Sequence, residues 1–365
     1  MSAVLERSPG RVAGRPPLRY GRFSGVWRPR MIAVTVLGLA LIVLVAAVNI
    51  GRGDFPISVG EVLGVLTGGG DPARQFIVLE LRLPRTLTGI LVGAALGLSG
   101  AITQAIARNP LASPDILGVT AGASAAAVAV IVFSGSGSDS AVGTTLAGVG
   151  LPIAALVGGL GTAALVYALA WRRGIEGYRL VLVGVGIGAV ATAITAWMLV
   201  IAQVVVASQA AVWLTGSLNG RGWEHVVPVG LALTVLVPVA LVLAFGLGAL
   251  QFGDDTARGL GLRVDRARSA LIIIAVVVAA VATSSAGPIA FVALVVPQIC
   301  QRLVGAARPP LLTSAVYGAL LTVTADLIAR SVLGNELPAG IVTAVLGAPY
   351  LLYLLVRRNR KVSAA

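Results

Sequence analysis

The sequence predicts an all-α polytopic membrane protein with about ten transmembrane helices, and three observations support this fold class. Of the 365 residues, 57% are hydrophobic and only 11% are charged, and the mean hydropathy is +0.96. A soluble globular domain is typically about 25% charged. The apolar residues fall into ten long segments, and the basic residues are concentrated in alternate loops between them. Roughly 20 apolar helical residues cross the hydrocarbon core of a bilayer, which is close to the length of most segments.

The apolar segments follow one another along the chain, separated by short stretches that contain Pro, Gly or Arg. The first follows basic residues, as in a signal peptide, but its apolar run of about 20 residues exceeds the 7–15 residues of a signal sequence. We therefore predict that it is the first transmembrane helix. The predicted segments are 31–50, 86–106, 111–134, 145–170, 179–206, 226–250, 269–286, 288–304, 309–330 and 338–356.

The positions of the basic residues predict that both termini lie in the cytoplasm. With ten spans in that orientation, 21 of the 27 Lys and Arg residues fall in cytoplasmic segments, as the positive-inside rule requires. Residues 1–30 and 357–365 are then basic cytoplasmic tails on a transmembrane domain of residues 31–356. The formal net charge of +13 is thereby explained by topology. Nucleic-acid binding is disfavoured, because the arginines flank apolar runs instead of forming a solvated face.

The sequence lacks the residues that several kinds of catalytic or metal site require. Only one histidine, His225, and one cysteine, Cys300, are present, which disfavours a zinc site and excludes an internal disulfide. The only lysine, Lys361, is not part of a G-x-x-x-x-G-K-[ST] phosphate-binding loop. Neither H-E-x-x-H nor G-x-S-x-G occurs. We therefore expect no catalytic residue and no metal site in this chain.

Several stretches, in a fixed order, resemble a known family. The longest is RLPRTLTGILVGAALGLSGAITQAIARNPLASPDILGVTAGAS at 82–124. It is followed by WLTGSLNG at 213–220, GDDTARGLGL at 253–262, AGPIAFVALVVP at 286–297 and ELPAGIVTAVLGAPY at 336–350. Together they resemble the FecCD/BtuC-type permeases, the membrane subunits of ATP-binding-cassette importers for ferric siderophores, haem and vitamin B12. Within that family the chain looks most like the ferric-enterobactin-type subunit, which pairs with a second, non-identical permease.

The resemblance implies a BtuC-like fold, that of type II ABC importers, embedded in membrane lipid of the bacterial plasma membrane. It also implies three kinds of protein partner: a second FecCD-type permease, different or identical, two ATPase subunits, and an extracytoplasmic substrate-binding lipoprotein. The chain itself would bind no cofactor, because ATP and Mg²⁺ are used by the ATPase subunits. The predicted function is the translocation of a ferric siderophore by a subunit that is not itself an enzyme.

Two alternatives to this function stay open. One is a permease of the same family for haem or vitamin B12. The other is an ion-coupled secondary transporter, which would need several charged groups near the middle of the membrane. Asp326 is the only acidic residue that the sequence places well inside a predicted span.

Three arginines are implied to dock the binding protein. Arg82 and Arg85 precede the second helix on the outer side, and Arg330 ends the ninth helix on the same side. A guanidinium group suits this role because its planar fork pairs with a carboxylate through two parallel hydrogen bonds. Interfacial anchoring of arginines at helix ends is the alternative. Asp326 lies four residues before Arg330, and we predict that it orients Arg330; a proton relay is the alternative role.

The cytoplasmic segment 251–268 is implied to transmit the movement of the ATPase subunits, with Gly253, Asp254, Asp255 and Arg258 as its characteristic residues. We expect Asp254 and Asp255 to cap a short helix there. A solvated charged loop is the alternative.

The fifth segment carries four polar or amphipathic residues that could line the translocation path: Thr192, Thr195, Trp197 and Gln203. Helix packing would explain the threonines equally well. Directly after the VVP of the eighth segment, where many members of the family that the chain resembles have His, this chain has Gln298, so no titrating imidazole is expected at that position.

Overall fold

We describe the fold from a computed structural model, which places residues 17–20, 23–26, 28–53, 55–135, 150–171, 177–250, 253–331 and 337–362. In these ranges the chain is helical except for turns and one hairpin. The strands β1 (Pro17–Tyr20) and β2 (Phe23–Val26) pair antiparallel, with Pro17 opposite Val26. This hairpin lies within the predicted basic tail, for which the sequence pattern indicated no strand.

The helices that follow in the described ranges are connected mostly by short turns. A π-helical turn, Phe76–Arg82, joins α3 to α4, and a 3₁₀ turn, Pro114–Leu117, precedes α5. The helices are α1 Pro29–Gly51, α2 Val59–Leu66, α3 Pro72–Gln75, α4 Leu83–Ala107, α5 Val119–Gly135, α6 Leu151–Ala170, α7 Gly177–Ile201, α8 Val204–Leu214, α9 Trp223–Leu250, α10 Asp254–Gly259, α11 Val264–Ala286, α12 Val292–Val304, α13 Leu311–Ser331 and α14 Ala339–Val362.

Each of the ten predicted segments contains a helix, which confirms the all-α polytopic fold. Seven helical stretches within the described ranges are long and apolar enough to cross a membrane. They are α1, the continuous stretch from α3 to α4, α6, α7, α9, α11 and α13. The apolar helices of the other three segments, within α5, α12 and α14, are shorter.

Some predicted boundaries were wrong, and turn chemistry explains each case. The third segment becomes helical only at Val119, because Pro110 and Pro114 lack the N–H that a helix interior requires. The fifth segment is interrupted after Ile201, since Gln203 has extended backbone with ψ 148° before α8 begins. The eighth segment begins at Val292, because Gly287 ends α11 with a positive φ of 74°.

The centre of the bundle is formed by α4, α11 and α13, which are much more buried than α1, α7 or α9. Glycines let α4 and α13 approach closely. A Cβ atom at Gly97 would overlap the carbonyl oxygen of Ser314, and one at Gly93 would overlap that of Gly318. In lipid, such close approach replaces the hydrophobic effect as the main attraction between helices. Gly93 and Gly97 thus form the surface of α4 against which α13 packs.

The large apolar side chains that remain exposed belong mainly to the peripheral helices. Val43 on α1, Leu182 on α7 and Leu231 on α9 are each at least 60% exposed. In a membrane-spanning chain such faces contact lipid or a partner subunit instead of water.

Candidate functional site

The predicted docking arginines lie at one end of the bundle, where α1 ends, α4 begins and α13 ends. We call this the arginine end. Their side chains are not presented to the surrounding space: Arg82 is 8% exposed and Arg85 is 7% exposed, and the side chain of Arg330 is 8% exposed. All three donate hydrogen bonds to groups of the same chain.

Arg85 is bound to Asp326, which is 1% exposed. The Nη2 and Nε atoms of Arg85 donate to Oδ1 of Asp326 at 2.8 and 3.2 Å. The remaining nitrogen, Nη1, donates to Oδ1 of Asn219 at 3.2 Å, in the turn between α8 and α9. A charge-assisted contact of this kind is stronger than a neutral hydrogen bond. Arg85 therefore links α4 to both α13 and that turn.

The other carboxylate oxygen of Asp326 contacts Asn49 and Arg330. Asn49 Nδ2 donates to Oδ2 at 3.2 Å, and Arg330 Nε lies 3.6 Å from the same atom. Arg330 Nη2 in turn donates to the backbone oxygen of Asn49 at 2.8 Å and to its side-chain oxygen. The predicted pairing of Asp326 with Arg330 is confirmed. The carboxylate of Asp326 thus contacts two guanidinium groups and connects α1, α4 and α13.

Arg82 secures the connection that follows α1. Its Nη1 donates to the carbonyl oxygen of Ile50 at 2.9 Å, and its Nη2 donates to that of Phe55 at 2.6 Å. Ile50 is in the last turn of α1, where carbonyl groups have no partner within the helix. A side chain at Gly53 would collide with this guanidinium group, because a Cβ atom there would lie 2.8 Å from Nη2.

Two residues of this cluster, Asn49 and Asn219, were missed by sequence reasoning. A signal for Asn49 was present, since it is an amide near the end of an otherwise apolar span. Asn219 lies in the WLTGSLNG stretch, which was used only for the resemblance. We call Asn49, Arg85, Asp326, Arg330 and Asn219 the Asp326 cluster.

The short helix α2, at the same end, has a capping box and an ion pair. The backbone N–H and the hydroxyl of Ser58 both donate to Glu61 Oε2, at 2.9 and 2.8 Å. Arg74 Nη1 lies 2.6 Å from Glu61 Oε1. The Ser58 hydrogen bonds, followed by the positive charge of Arg74, lower the pKa of Glu61 from its ordinary value of 4.5.

The predicted coupling segment contains a short helix, α10, at the opposite end of the bundle. Trp223 is the first residue of α9, and its Nε1 donates a hydrogen bond to the carbonyl oxygen of Leu79 near the arginine end. The segment with α10 follows the other end of this 28-residue helix. A helix of that length extends about 42 Å. The two predicted sites are therefore about one membrane thickness apart.

The expected capping by Asp254 and Asp255 was wrong, because Gly253 is the N-cap and has no side chain. The aspartates occupy the first turn instead, where negative charge favours the helix dipole. Asp255 is fully exposed and its Oδ1 lies 3.4 Å from Arg258 Nη1. Ala257 and Val264 are buried, whereas Leu260 is 70% exposed. The segment is thus anchored by small apolar residues and presents two charges and one leucine.

The residues predicted to line the translocation path do not share one face. Thr195 is buried within the chain, and its hydroxyl donates to the carbonyl oxygen of Ala191 at 2.9 Å. Thr192 and Trp197 are exposed on α7, and Gln203 is exposed in the break before α8. The exposed three are available to a path formed with a second subunit, and Thr195 is not.

Gln298 forms a second buried polar contact, nearer the α10 end. Its Nε2 donates to Oε1 of Gln104 at 2.6 Å, and Gln104 Nε2 donates to the carbonyl oxygen of Leu294 at 2.8 Å. Both glutamines are less than 10% exposed. They join α4 to α12 beside a cavity of about 500 Å³ that Arg108 and Arg308 also line. A hydrogen-bonded amide pair thus occupies this position, and no imidazole is present there.

Comparison with known proteins shows the family. Residues 39–357 match the FecCD transport family. The chain belongs to the FecCD transport family. It is therefore a membrane permease, and the matched residues extend from within α1 to within α14.

Curated FecCD relatives match along almost their full length. The ferric enterobactin transport system permease protein FepG of Escherichia coli K12 is 39% identical over 92% of this chain and 99% of its own length. The achromobactin transport system permease protein CbrC of Dickeya dadantii is 41% identical over 93% of this chain and 96% of its own length.

The FecCD fold is supported by a solved structure as well. A structure described as an inward-facing conformation of a metal-chelate type ABC transporter matches with a TM-score of 0.77 and 28% identity. It covers 90% of this chain and 99% of the other. The predicted BtuC-like type II importer architecture agrees with this match.

Proposed function

We propose that this chain is a permease subunit of an ATP-binding-cassette importer that carries a ferric siderophore across the bacterial plasma membrane. The observation that carries the proposal is the full-length similarity to FecCD relatives. Besides the enterobactin and achromobactin permeases, a Bacillus subtilis protein named as the iron(3+)-hydroxamate import permease FhuG is 40% identical over 97% of its length. The enterobactin and hydroxamate names both specify a ferric chelate as cargo.

The proposal includes separate ATPase subunits and no catalytic site in this chain. Its support is the sequence, which has one lysine and no phosphate-binding loop. We place the contact with the ATPase subunits at α10, where Asp254, Asp255 and Arg258 accompany the exposed Leu260. An exposed leucine beside opposite charges on an otherwise anchored helix is suited to a cleft in a partner protein.

The arrangement of basic residues supports an orientation with both termini in the cytoplasm. The arginine end would then face outward, toward a substrate-binding lipoprotein, and α10 would face the cytoplasm. A second FecCD-type permease would cover the exposed face of α7, with Thr192, Trp197 and Gln203 beside the path.

Docking through Arg82, Arg85 and Arg330 stays a prediction, and the geometry gives these side chains a structural role as well. Their guanidinium groups are buried and hydrogen-bonded within the chain. Arg52, in contrast, is exposed at the same end. The two roles can be separated by comparing Arg52→Glu with Arg85→Glu. A docking residue alters salt-dependent affinity for the binding protein, while a structural one alters thermal stability first.

Uptake of labelled iron tests the proposed function. The chain would be produced with its partner subunits in a strain that lacks its own siderophore permeases, and ⁵⁵Fe-loaded catecholate, hydroxamate and citrate chelates would be supplied in turn. We expect uptake of at least one chelate, and none when the ATPase subunit is replaced by a variant that binds but cannot hydrolyse ATP.

Two results would contradict parts of the proposal. Uptake of haem or cobalamin, with no ferric chelate carried, would show that the substrate class is wrong. Uptake that continues without the ATPase subunits and stops when the proton gradient is abolished would identify a secondary transporter.

A further inference from the structure

A groove at the α10 end of the bundle is not used by any of the roles above. It lies between the start of α1, the last turns of α9 and the start of α13, and its volume is about 450 Å³. The groove is lined by two basic side chains, Arg28 and Arg308. Its apolar lining includes Ile32, Val36, Leu241 and Leu311. None of the residues that line it in the described part of the chain is acidic.

The two arginines of the groove repel each other. Arg308 is half-buried, and its Nη1 donates to the carbonyl oxygen of Ala244 at 2.9 Å, a neutral acceptor. Burial lowers the pKa of Arg308, and the neighbouring charge of Arg28 lowers it further. Arg30 is nearby as well, since a Cβ atom at Gly305 would lie 3.4 Å from its Nη1. The positive charge of these arginines is therefore not neutralised by any described residue of the groove. A bound anion would reduce the repulsion between them.

The apolar walls of the groove specify what kind of anion fits. Ile32 and Val36 are 42% and 58% exposed on the first two turns of a membrane-spanning helix. These two side chains follow one another from the arginines toward the membrane interior. An acyl chain extends in the same direction from its headgroup. Basic pockets between transmembrane helices at the membrane surface are a known way of binding anionic headgroups.

We propose that this groove binds one anionic phospholipid, with its phosphate between Arg28 and Arg308 and an acyl chain along Ile32, Val36 and Leu241. The inference depends on the membrane fold and on this groove. It does not depend on the transported substrate, on the ATPase subunits or on which side of the membrane the groove faces.

Native mass spectrometry of the purified chain in detergent tests the proposal. The chain would be incubated with equal amounts of phosphatidylglycerol and phosphatidylcholine, which carry the same phosphate but differ in net charge. We expect preferential retention of phosphatidylglycerol. Because each arginine near a membrane surface contributes about five-fold to binding of anionic lipid, Arg28→Gln should reduce the preference about five-fold. Arg28→Gln combined with Arg308→Gln should reduce it about 25-fold.

A matched control is available at the same end of the molecule. Arg263→Gln combined with Arg266→Gln removes the same charge from two exposed positions outside the groove, and the preference should be unchanged. Equal loss in the control and the groove variant would mean that only overall charge matters, which would overturn the proposal. Displacement of phosphatidylglycerol by millimolar inorganic phosphate would also overturn it, because the apolar walls would then contribute nothing. The single variant Arg28→Gln keeps the Arg308 contact to Ala244, so folding and lipid binding can be judged separately.

Discussion

Arg85 and Asp326 form a buried ion pair that joins two central helices, with Nη2 of the arginine 2.8 Å from Oδ1 of the aspartate. The residues are 241 positions apart in the chain. Asp326 also pairs with Arg330 and accepts a hydrogen bond from Asn49. The cluster therefore has two guanidinium groups and one carboxylate. Removal of the carboxylate would deprive both buried guanidinium groups of the negative charge of Asp326.

We therefore expect Asp326→Asn to be strongly destabilising. Breaking a buried pair by removing one partner costs about 3–5 kcal/mol. Asp71→Asn is the matched control: Asp71 pairs with Arg74 but its side chain is 52% exposed, and exposed pairs contribute about 0–1 kcal/mol. The apparent Tm in detergent should fall much further for Asp326→Asn. Equal Tm shifts in the two variants would show that the Asp326 cluster is not a stabilising element.

The close approach of α4 and α13 predicts an unusual response to alanine. Gly97→Ala would overlap the carbonyl oxygen of Ser314, and forcing the helices apart should cost about 1–3 kcal/mol. Gly161→Ala on α6 is the control, since no atom lies within 4 Å of the added Cβ. There the higher helix propensity of alanine should stabilise by up to about 1 kcal/mol. Opposite signs of the two Tm shifts are expected, and a stabilising Gly97→Ala would contradict the packing described.

The Gln104 and Gln298 pair predicts non-additive mutations. Gln298→Leu leaves Oε1 of Gln104 buried without its donor, which should cost about 1–3 kcal/mol. Adding Gln104→Leu removes the stranded group, so the double variant should be less destabilised than the sum of the two single variants. Thermal unfolding of the three variants measures this coupling. Strict additivity would show that the two amides do not depend on each other.

Substitutions in α10 should impair transport without lowering the stability of the chain. Asp255 and Arg258 are exposed and 3.4 Å apart, so Asp255→Ala with Arg258→Ala should change the free energy of unfolding by less than about 1 kcal/mol. If α10 contacts the ATPase subunits as proposed, the same variant should lose co-purification with them or hydrolyse ATP without uptake. Arg263→Gln serves as an exposed control in the same segment. Normal coupled uptake by the α10 variant would reject the coupling role.

Acidification should loosen α2. The pKa of Glu61 is lowered in the folded chain, so its stabilising effect is present above its ordinary pKa of 4.5 and is lost as the pH falls through the lowered value. Hydrogen exchange of the α2 amides, measured relative to the intrinsic exchange rate at each pH, should accelerate over that acidic range. In Glu61→Gln the carboxylate is absent and this acceleration should disappear. Acceleration of equal size in both proteins would assign it to another group.

The fold class could be predicted from the sequence because the bilayer imposes simple requirements. Every backbone polar group in the hydrocarbon must be satisfied internally, which leaves helices of apolar residues as the natural solution. The ten segments followed from such local patterns, and the short helix at α10 followed from the resemblance to the family. Boundaries failed where a single Pro, Gly or extended residue ended a helix, as at Gln203.

The arginines show what the sequence could not determine. Their position at one end of the bundle followed from the spacing of the spans, and the resemblance to the family implied an outward docking role. Whether a guanidinium group is exposed or buried depends on which distant residues meet it. Asn49, Asn219 and Asp326 come from three parts of the chain, and no local pattern connects them with Arg85.

The sequence by itself determined that this protein is a helical membrane permease, since hydropathy, charge distribution and motif order are properties of the chain read one residue after another. Only the tertiary structure decided that Asp326 binds Arg85 as well as Arg330, that Gln298 pairs with Gln104, and that Arg28 and Arg308 share one groove. These contacts join residues that are far apart in the chain. Their energies arise from burial and distance, which exist only once the helices have packed.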